Sequence, residues 1–465
     1  MKRIGILTAG GDTPALNATI HGAVTRANQL RVEVFGLVKG YNSLWNPRVP
    51  HVHLNPLFQP IPELDPAHGG TLLGSSRDFV DPNDAGGIAR IAERLDRLKI
   101  EGLICIGGDG TLNGLQPLAE RLPVVLAPKT IDNDLGLNYP SEPSDWDRVP
   151  DDALACGYRY EKRESFVRFD LENMVNFVTP GYATAVFVTS EDVQRVRTTA
   201  ESHRRIAIVE VMGRGSGYIP LGTAYGQPDI ILVPEHPVDL PRVVDRIKHL
   251  YELQKHVVIV CGEGITDTEG NLLGAQPVRD PAGNVLLSGA AEALRRLLME
   301  AIEDDYFRGF RRGDSSRDAI FTCKAGHTQR GGRPLHFDRF HAALLGGKTV
   351  DLLAEGYNNC VATLHWGRKS GFRVDHHDAN RFRDRWGHIH ARRMHPAFYD
   401  SEHMRPSQIG VDYLLPIFTN ALSESDLEFT RRATFASGAL TNPYHSPHTD
   451  VARRIRYIDA AAAVV

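Results

Sequence analysis

The run Pro128-Lys129-Thr130-Ile131-Asp132-Asn133-Asp134 carries the clearest chemical signal in the chain. It follows Val124-Val125-Leu126-Ala127, an apolar stretch that predicts a short buried strand. Two carboxylates spaced two apart just past a strand end sit where parallel α/β folds place their chemistry. One can take a proton while the other faces a metal-bound phosphate, and Lys129 and Thr130 complete a compact polar cluster. Asp-Asn-Asp is also good turn chemistry. The run gains meaning only from what the rest of the chain brings to it.

Several elements aim at that point. Arg3–Thr8 predicts a strand, Ala9-Gly10-Gly11-Asp12-Thr13-Pro14 a loop and 15–30 a helix. A strand, a Gly-Gly loop and a helix N-terminus make a backbone cradle for phosphate. A second Gly-rich loop, from His68 through Gly69-Gly70-Thr71, ends at Arg77, whose guanidinium suits a pair of phosphates. After a helix over 84–99, the strand 102–106 runs into Gly107-Gly108-Asp109-Gly110-Thr111. There glycine lets backbone approach a nucleotide while Asp109 faces a cation.

Residues 135–180 are rich in Pro, Asp, Arg and aromatics and read as an insertion with one helix near 170–177. Alternation then resumes. Strands are expected at 205–212, 230–233, 257–261 and 319–324, and helices at 183–200, 240–254, 291–302 and 337–355; 264–289 reads as a polar hairpin or loop. Arg205, Met212, Gly213, Arg214, Glu263, His327 and Arg330 fall at strand ends or in their loops. Cations with a histidine and one carboxylate suit a sugar phosphate. Beyond Gly371 the pattern gives way to His, Arg and Asp-rich sequence, read as a charged surface extension with a helix-like stretch at 411–421. His376, His377, His388 and His390 match no metal-ligand spacing.

With 465 residues, 42% hydrophobic, the chain can bury more than one core, and two to three domains are expected. A net charge of -4 argues against nucleic-acid or membrane partners. No run is long and apolar enough to span a bilayer, Met-Lys-Arg leads straight into a strand, and the five cysteines are scattered. A soluble, cytoplasmic α/β protein is the expectation.

Taken in order, these motifs resemble the 6-phosphofructokinase family, whose members use ATP or pyrophosphate. The resemblance runs through Gly10-Gly11-Asp12, Gly69-Gly70-Thr71 with Arg77, Gly107 to Thr111, Pro128 to Asp134, Val211-Met212-Gly213-Arg214 and Gly326 to Gly332. Lipid and NAD kinases share a Gly-Gly-Asp-Gly motif, but that reading leaves Pro128 to Asp134 and Gly326 to Gly332 without a role. The resemblance implies two similar α/β/α domains with mostly parallel sheets and the active site between them. The donor domain would comprise 1–135 plus about 329–370, the sugar-phosphate domain 181–328, with an insertion at 136–180 and a C-terminal extension at 371–465.

By the same resemblance Asp132 is the general base toward the sugar 1-hydroxyl, supported by Thr130 and Asp134, and Asp109 is the Mg²⁺ position. Gly11, Arg77, Gly108, Gly110, Thr111, Gly114 and Lys129 lie at the donor, and Tyr41 matches a position near its base. Arg214 faces the transferring group. Thr130, Asp132, Arg205, Met212, Gly213, Arg214, Glu263, His327 and Arg330 face fructose 6-phosphate, some cations reaching a neighbouring subunit of a homodimer or homotetramer. Gly110 and Gly114 point to ATP and Lys129 to pyrophosphate, and the balance falls on ATP. Phe321 stands where a second sugar-phosphate arginine is expected, leaving Lys324 or the insertion to substitute. A pyrophosphate-dependent, reversible enzyme, a sedoheptulose-7-phosphate kinase and a silent regulatory subunit are the alternatives.

Overall fold

In the computed structural model, the apolar runs pair into two parallel sheets, and the Gly-rich segments turn the chain from strand to helix. Residues 1–465 are described except 77, 79, 82, 152–155, 164, 166, 280–284, 288, 311–314, 435–443 and 459–465. The first sheet contains β1 (Arg3–Thr8), β2 (Glu33–Leu37), β3 (His51–His53), β4 (Gly102–Gly107) and β5 (Val124–Pro128). Far later in the chain, β14 (Cys360–Gly367) and β15 (Gly371–Asp378) join it, giving the order β15-β14-β5-β4-β1-β2-β3. Only the edge strands β3 and β15 run antiparallel to their neighbours.

The second sheet, order β13-β8-β10-β9, is parallel throughout. It is built from β8 (Ile206–Val211), β9 (Ile230–Leu232), β10 (Val257–Gly262) and β13 (Ile320–Lys324). The residues of β8, β9 and β10 are buried throughout, as expected of strands covered on both faces.

Among the helices are α1 (Leu16–Gln29), α2 (Ala85–Arg97), α3 (Asp109–Ala119), α4 (Tyr182–His203), α5 (Leu240–Gln254), α6 (Ala290–Ile302), α7 (His336–Ala354) and α8 (Gln408–Phe418). The chain returns to the first sheet by packing α7 against α1. A Cβ on Gly22 would lie 2.0 Å from the Ala343 carbonyl oxygen, and one on Gly346 2.0 Å from that of Thr19. These two glycines let the helix backbones touch. No described helix is long and apolar enough to cross a membrane.

Several elements depart from the sequence reading, beginning with β15, a strand of the first sheet in a segment read as a surface extension. Helix α3 follows directly on the third Gly-rich loop, its pattern hidden by Gly110, Gly114 and an internal Pro117. The insertion forms an antiparallel hairpin, β6 (Trp146–Pro150) with β7 (Tyr158–Lys162), and near 170–177 only a short 3₁₀ turn, Leu171–Asn173, instead of an α-helix. Alternation places Trp146, Arg148, Tyr158 and Tyr160 on one face of the hairpin. That face packs on the segment expected to be a charged surface. Trp146 stacks on His390 at 3.9 Å, Tyr160 on His388 at 4.9 Å, and Arg148 lies 5.0 Å from the Trp386 ring. These histidines are stacking partners, and no metal-holding group of three or more ligands occurs among the described residues. In the 264–289 segment, read as a hairpin or loop, β11 (Ala275–Arg279) and β12 (Val285–Leu287) pair antiparallel.

Candidate active site

The carboxyl ends of β1, β4, β5, β8 and β10 deliver their loops to one cleft of about 1000 Å³. The turn after β5 is held from several sides. Lys129 N–H donates to the Gly107 carbonyl (2.9 Å), and Asp132 N–H donates to Thr130 Oγ1 (3.1 Å). Asn133 adopts φ +56°, a left-handed conformation that asparagine tolerates. Its Oδ1 accepts from Thr179 N–H (2.8 Å), and its Nδ2 donates to the Tyr413 hydroxyl on α8 (2.5 Å). The turn leaves one Oδ1 of Asp132 and one of Asp134 buried without a hydrogen-bond partner.

Buried carboxylate oxygens without a hydrogen-bond partner resist ionisation. Burial, then the nearby Asp134 charge, pushes Asp132 up to about 7, against the opposing pull of Arg330 and Arg214. Burial and Asp134 likewise push Asp109 up to about 6. Asp134 itself is raised by burial, with the Thr130 hydroxyl opposing. Burial, then Arg330, brings Lys129 down to about 7. A base that titrates near neutrality is well matched to proton transfer.

On the side of the Gly-rich loops, Gly10 takes φ +79° and donates its N–H to the Ser76 carbonyl (2.9 Å). A Cβ on Gly107 would lie 1.9 Å from Thr111 Oγ1, so only glycine fits beneath the start of α3. The N-terminal N–H groups and dipole of α3 favour an anion there. Lys129 Nζ donates to the Gly11 carbonyl and to that of Ala9 (3.3 Å), fastening the first loop to the turn after β5. The Arg330 guanidinium lies over Gly11, its Nη1 2.8 Å from where a Cβ would sit. Nothing lies within 4 Å of a Cβ built on Gly110. Tyr41 donates its hydroxyl to the Thr111 carbonyl (3.1 Å) and lines the cleft.

On the other side stand Arg214, Gly215 and Ser216 after β8 and Glu263 after β10. Burial raises the Glu263 carboxyl, against the pull of Arg214. Met212 N–H donates to Gln329 Oε1 (3.2 Å), which ties the end of β8 to the 3₁₀ turn Gly326–Arg330.

The cleft is therefore lined by Gly11, Gly108, Asp109, Gly110, Thr111, Gly114, Lys129, Thr130, Asp132, Asp134, Arg214, Glu263 and Arg330. Met212 and Gly213 lie behind its wall, and His327 is exposed outside it. Arg205 precedes β8, about 20 Å from Met212 at the usual strand rise, at the strand's opposite end. Arg77 lies outside the described residues. Lys324, the candidate substitute for the arginine missing at Phe321, pairs with Glu210 (2.8 Å).

The donor set suits Mg²⁺. Asp109 and Asp134 sense each other's charge, and Asp134 keeps an orphaned oxygen. Magnesium is usually held by one or two carboxylates plus substrate phosphates, without a protein cage.

The lining residues not anticipated include Asn113, Gln116, Pro117 and Glu120 on α3 and, beyond β15, Arg383, Gly387, Ala391 and Arg392. Arg392 is 2% exposed. Its guanidinium donates to the carbonyls of Asn133 (2.7 Å) and Asn176 (2.7 Å), and its N–H to that of Asp134 (2.6 Å). It is an internal strut of the turn after β5, and no local pattern in the sequence marks it.

A family profile described as Phosphofructokinase matches residues 3–139 and 172–353. The chain belongs to the phosphofructokinase family. The profile's gap falls within the insertion carrying β6 and β7. Among similar phosphofructokinases, the ATP-dependent 6-phosphofructokinase of Natranaerobius thermophilus is 31% identical over 77% of this chain and 87% of that protein. The pyrophosphate–fructose 6-phosphate 1-phosphotransferase of Amycolatopsis methanolica is 33% identical, covering 76% and 88%. The structure of the pyrophosphate-dependent phosphofructokinase from Marinobacter aquaeolei shares the fold with a TM-score of 0.66 at 16% identity, over 91% of this chain and 92% of that one. Members of this family are phosphotransferases, and the two-sheet α/β architecture agrees with that shared fold.

Proposed function

We infer that this phosphofructokinase transfers the terminal phosphoryl group of ATP to the 1-hydroxyl of fructose 6-phosphate, giving fructose 1,6-bisphosphate and ADP, in cytoplasmic glycolysis. The observation that carries the reading is the buried, unpartnered Oδ1 of Asp132, set between a glycine-lined wall and a wall bearing Arg214 and Glu263. In this reading Asp132 takes the hydroxyl proton as the sugar oxygen bonds to the terminal phosphorus. The bond from that phosphorus to the bridging oxygen of the departing ADP breaks. Phosphoryl transfer asks mainly for positioning and charge neutralisation. Arg214 and Arg330 supply cations from the chain, and Glu263 accepts from sugar hydroxyls. Asp109, with Asp134 beside it, would hold a magnesium ion that neutralises donor phosphate charge.

ATP is favoured over pyrophosphate by the open space above Gly110 and by the course of the cleft, which continues along α3 to Gln116, Pro117 and Glu120. Gln116 lies about 10 Å beyond the helix N-terminus at 1.5 Å per residue, past the reach of a donor that ends at its second phosphorus. The second reading, a reversible pyrophosphate-dependent enzyme, is favoured by Lys129 at the first loop. Arg205 and His327, outside their own cleft, suit a homodimer or homotetramer in which they reach a neighbouring copy's sugar phosphate. Phosphorus NMR of the purified protein with fructose 6-phosphate and Mg-ATP should show a sugar 1-phosphate resonance growing with ADP. ADP growing with inorganic phosphate alone would contradict phosphoryl transfer to the sugar.

A further inference from the structure

The segment after β15 reaches the cleft as a preformed loop. Asp384 closes it, accepting from the N–H groups of Trp386 (2.8 Å) and His388 (2.9 Å) and pairing with His390 (2.9 Å). Arg383 and Ile389 form a bridge at its base. Two side chains fasten the loop to α3. Asn113 Nδ2 donates to the Ile389 carbonyl (3.1 Å), and Arg383 Nη2 donates to Gln116 Oε1. Gln116 is itself fixed, its Nε2 donating to the Leu112 carbonyl (2.9 Å).

The guanidinium of Arg383 is thus aimed and only partly used. Its Nε is buried without a hydrogen-bond partner, and the residue lines the cleft beside Gln116. A guanidinium carries five N–H donors, and the contact to Gln116 engages only its Nη2 end. The pair stands two helical turns along α3 from the phosphate-binding end, where a nucleotide donor carries its nucleoside.

We propose that Arg383, oriented by Gln116, is a donor-specificity residue: its guanidinium hydrogen-bonds acceptor atoms of the nucleoside of a nucleoside triphosphate. The C-terminal segment would then supply the far wall of the donor site. This rests on the reading that the donor is a nucleotide.

The test compares the wild type with Arg383→Ala and Arg383→Lys. Binding of ADP and of inorganic tripolyphosphate is measured by calorimetry, together with steady-state kinetics for ATP and fructose 6-phosphate. Loss of a charge-assisted contact made equally in the ground and transition states raises KM with less change in kcat. ATP KM and ADP Kd should rise at least tenfold in Arg383→Ala, with partial recovery in Arg383→Lys. Tripolyphosphate binding and the KM for fructose 6-phosphate should stay within about twofold, which also verifies the fold. Unchanged ATP KM in an ATP-using enzyme overturns the inference alone. Equal weakening of ADP and tripolyphosphate binding would place the guanidinium on phosphates and overturn the nucleoside assignment. A wild type that turns over pyrophosphate only, without binding ADP, overturns the donor reading and this inference together.

Discussion

Replacing Asp132 by asparagine keeps the shape of the catalytic turn and removes the base. A positioned general base contributes about 10²–10⁴ to the rate, so kcat should fall by that factor while fructose 6-phosphate still binds. The same substitution should stabilise the fold at alkaline pH. The folded carboxyl is raised to about 7 from 3.8, chiefly by burial and next by Asp134. Between those values the unfolded chain is ionised while the folded one holds its proton, so stability falls as pH rises through this window. Above it the full cost of a buried charge is present, on the order of a few kcal/mol. The neutral asparagine side chain carries no such cost. Thermal melts followed by circular dichroism should therefore show Asp132→Asn with a higher Tm than wild type at pH 8, and a difference that shrinks toward pH 4. Unchanged turnover would remove Asp132 as the base. A lower Tm at pH 8 would refute the electrostatic reasoning.

Three further outcomes follow from the same site. The kcat/KM of the free enzyme should fall about tenfold per pH unit below about 7, as Asp132 takes up its proton; a flat profile from pH 5.5 to 8 would contradict this. Gly110→Asp has room for its Cβ, so the variant should fold, lose ATP use and retain more pyrophosphate use; equal kinetics with ATP would show that Gly110 does not set the donor. Arg392→Met leaves the carbonyls of Asn133 and Asn176 without this donor. That should cost about 3 kcal/mol, read as a Tm drop of several degrees, with kcat falling as the turn loosens; wild-type kcat and Tm together would deny it the strut role.

Much of this site is local and therefore legible. The loops Gly10-Gly11, Gly107 to Thr111 and Lys129 to Asp134 each follow an apolar run, and strand ends in a parallel sheet converge on one crevice. What escaped the sequence is held by distant partners. Tyr413 reaches Asn133 across 280 positions and Arg392 reaches it across 259, so no periodicity can announce either contact. The hairpin 146–162 did carry an alternation, Trp146, Arg148 and then Tyr158, Tyr160. Pro, Asp and Arg around it obscured the strands, and the aromatic face found its cover on His388 and His390, far along the chain. Arg205 stands just before β8 and His327 in the 3₁₀ turn Gly326–Arg330, and neither lines this cleft.

In the proposed reaction Asp132 takes the sugar hydroxyl proton as the phosphoryl group passes from ATP to fructose 6-phosphate in this cleft. One coupled assay tests it: formation of fructose 1,6-bisphosphate by the purified protein, with Mg-ATP and with pyrophosphate as donors. Higher kcat/KM with ATP, lost by at least two orders of magnitude in Asp132→Asn, is the expected result. Bisphosphate formed from pyrophosphate alone, or from ATP at an undiminished rate by Asp132→Asn, would contradict it.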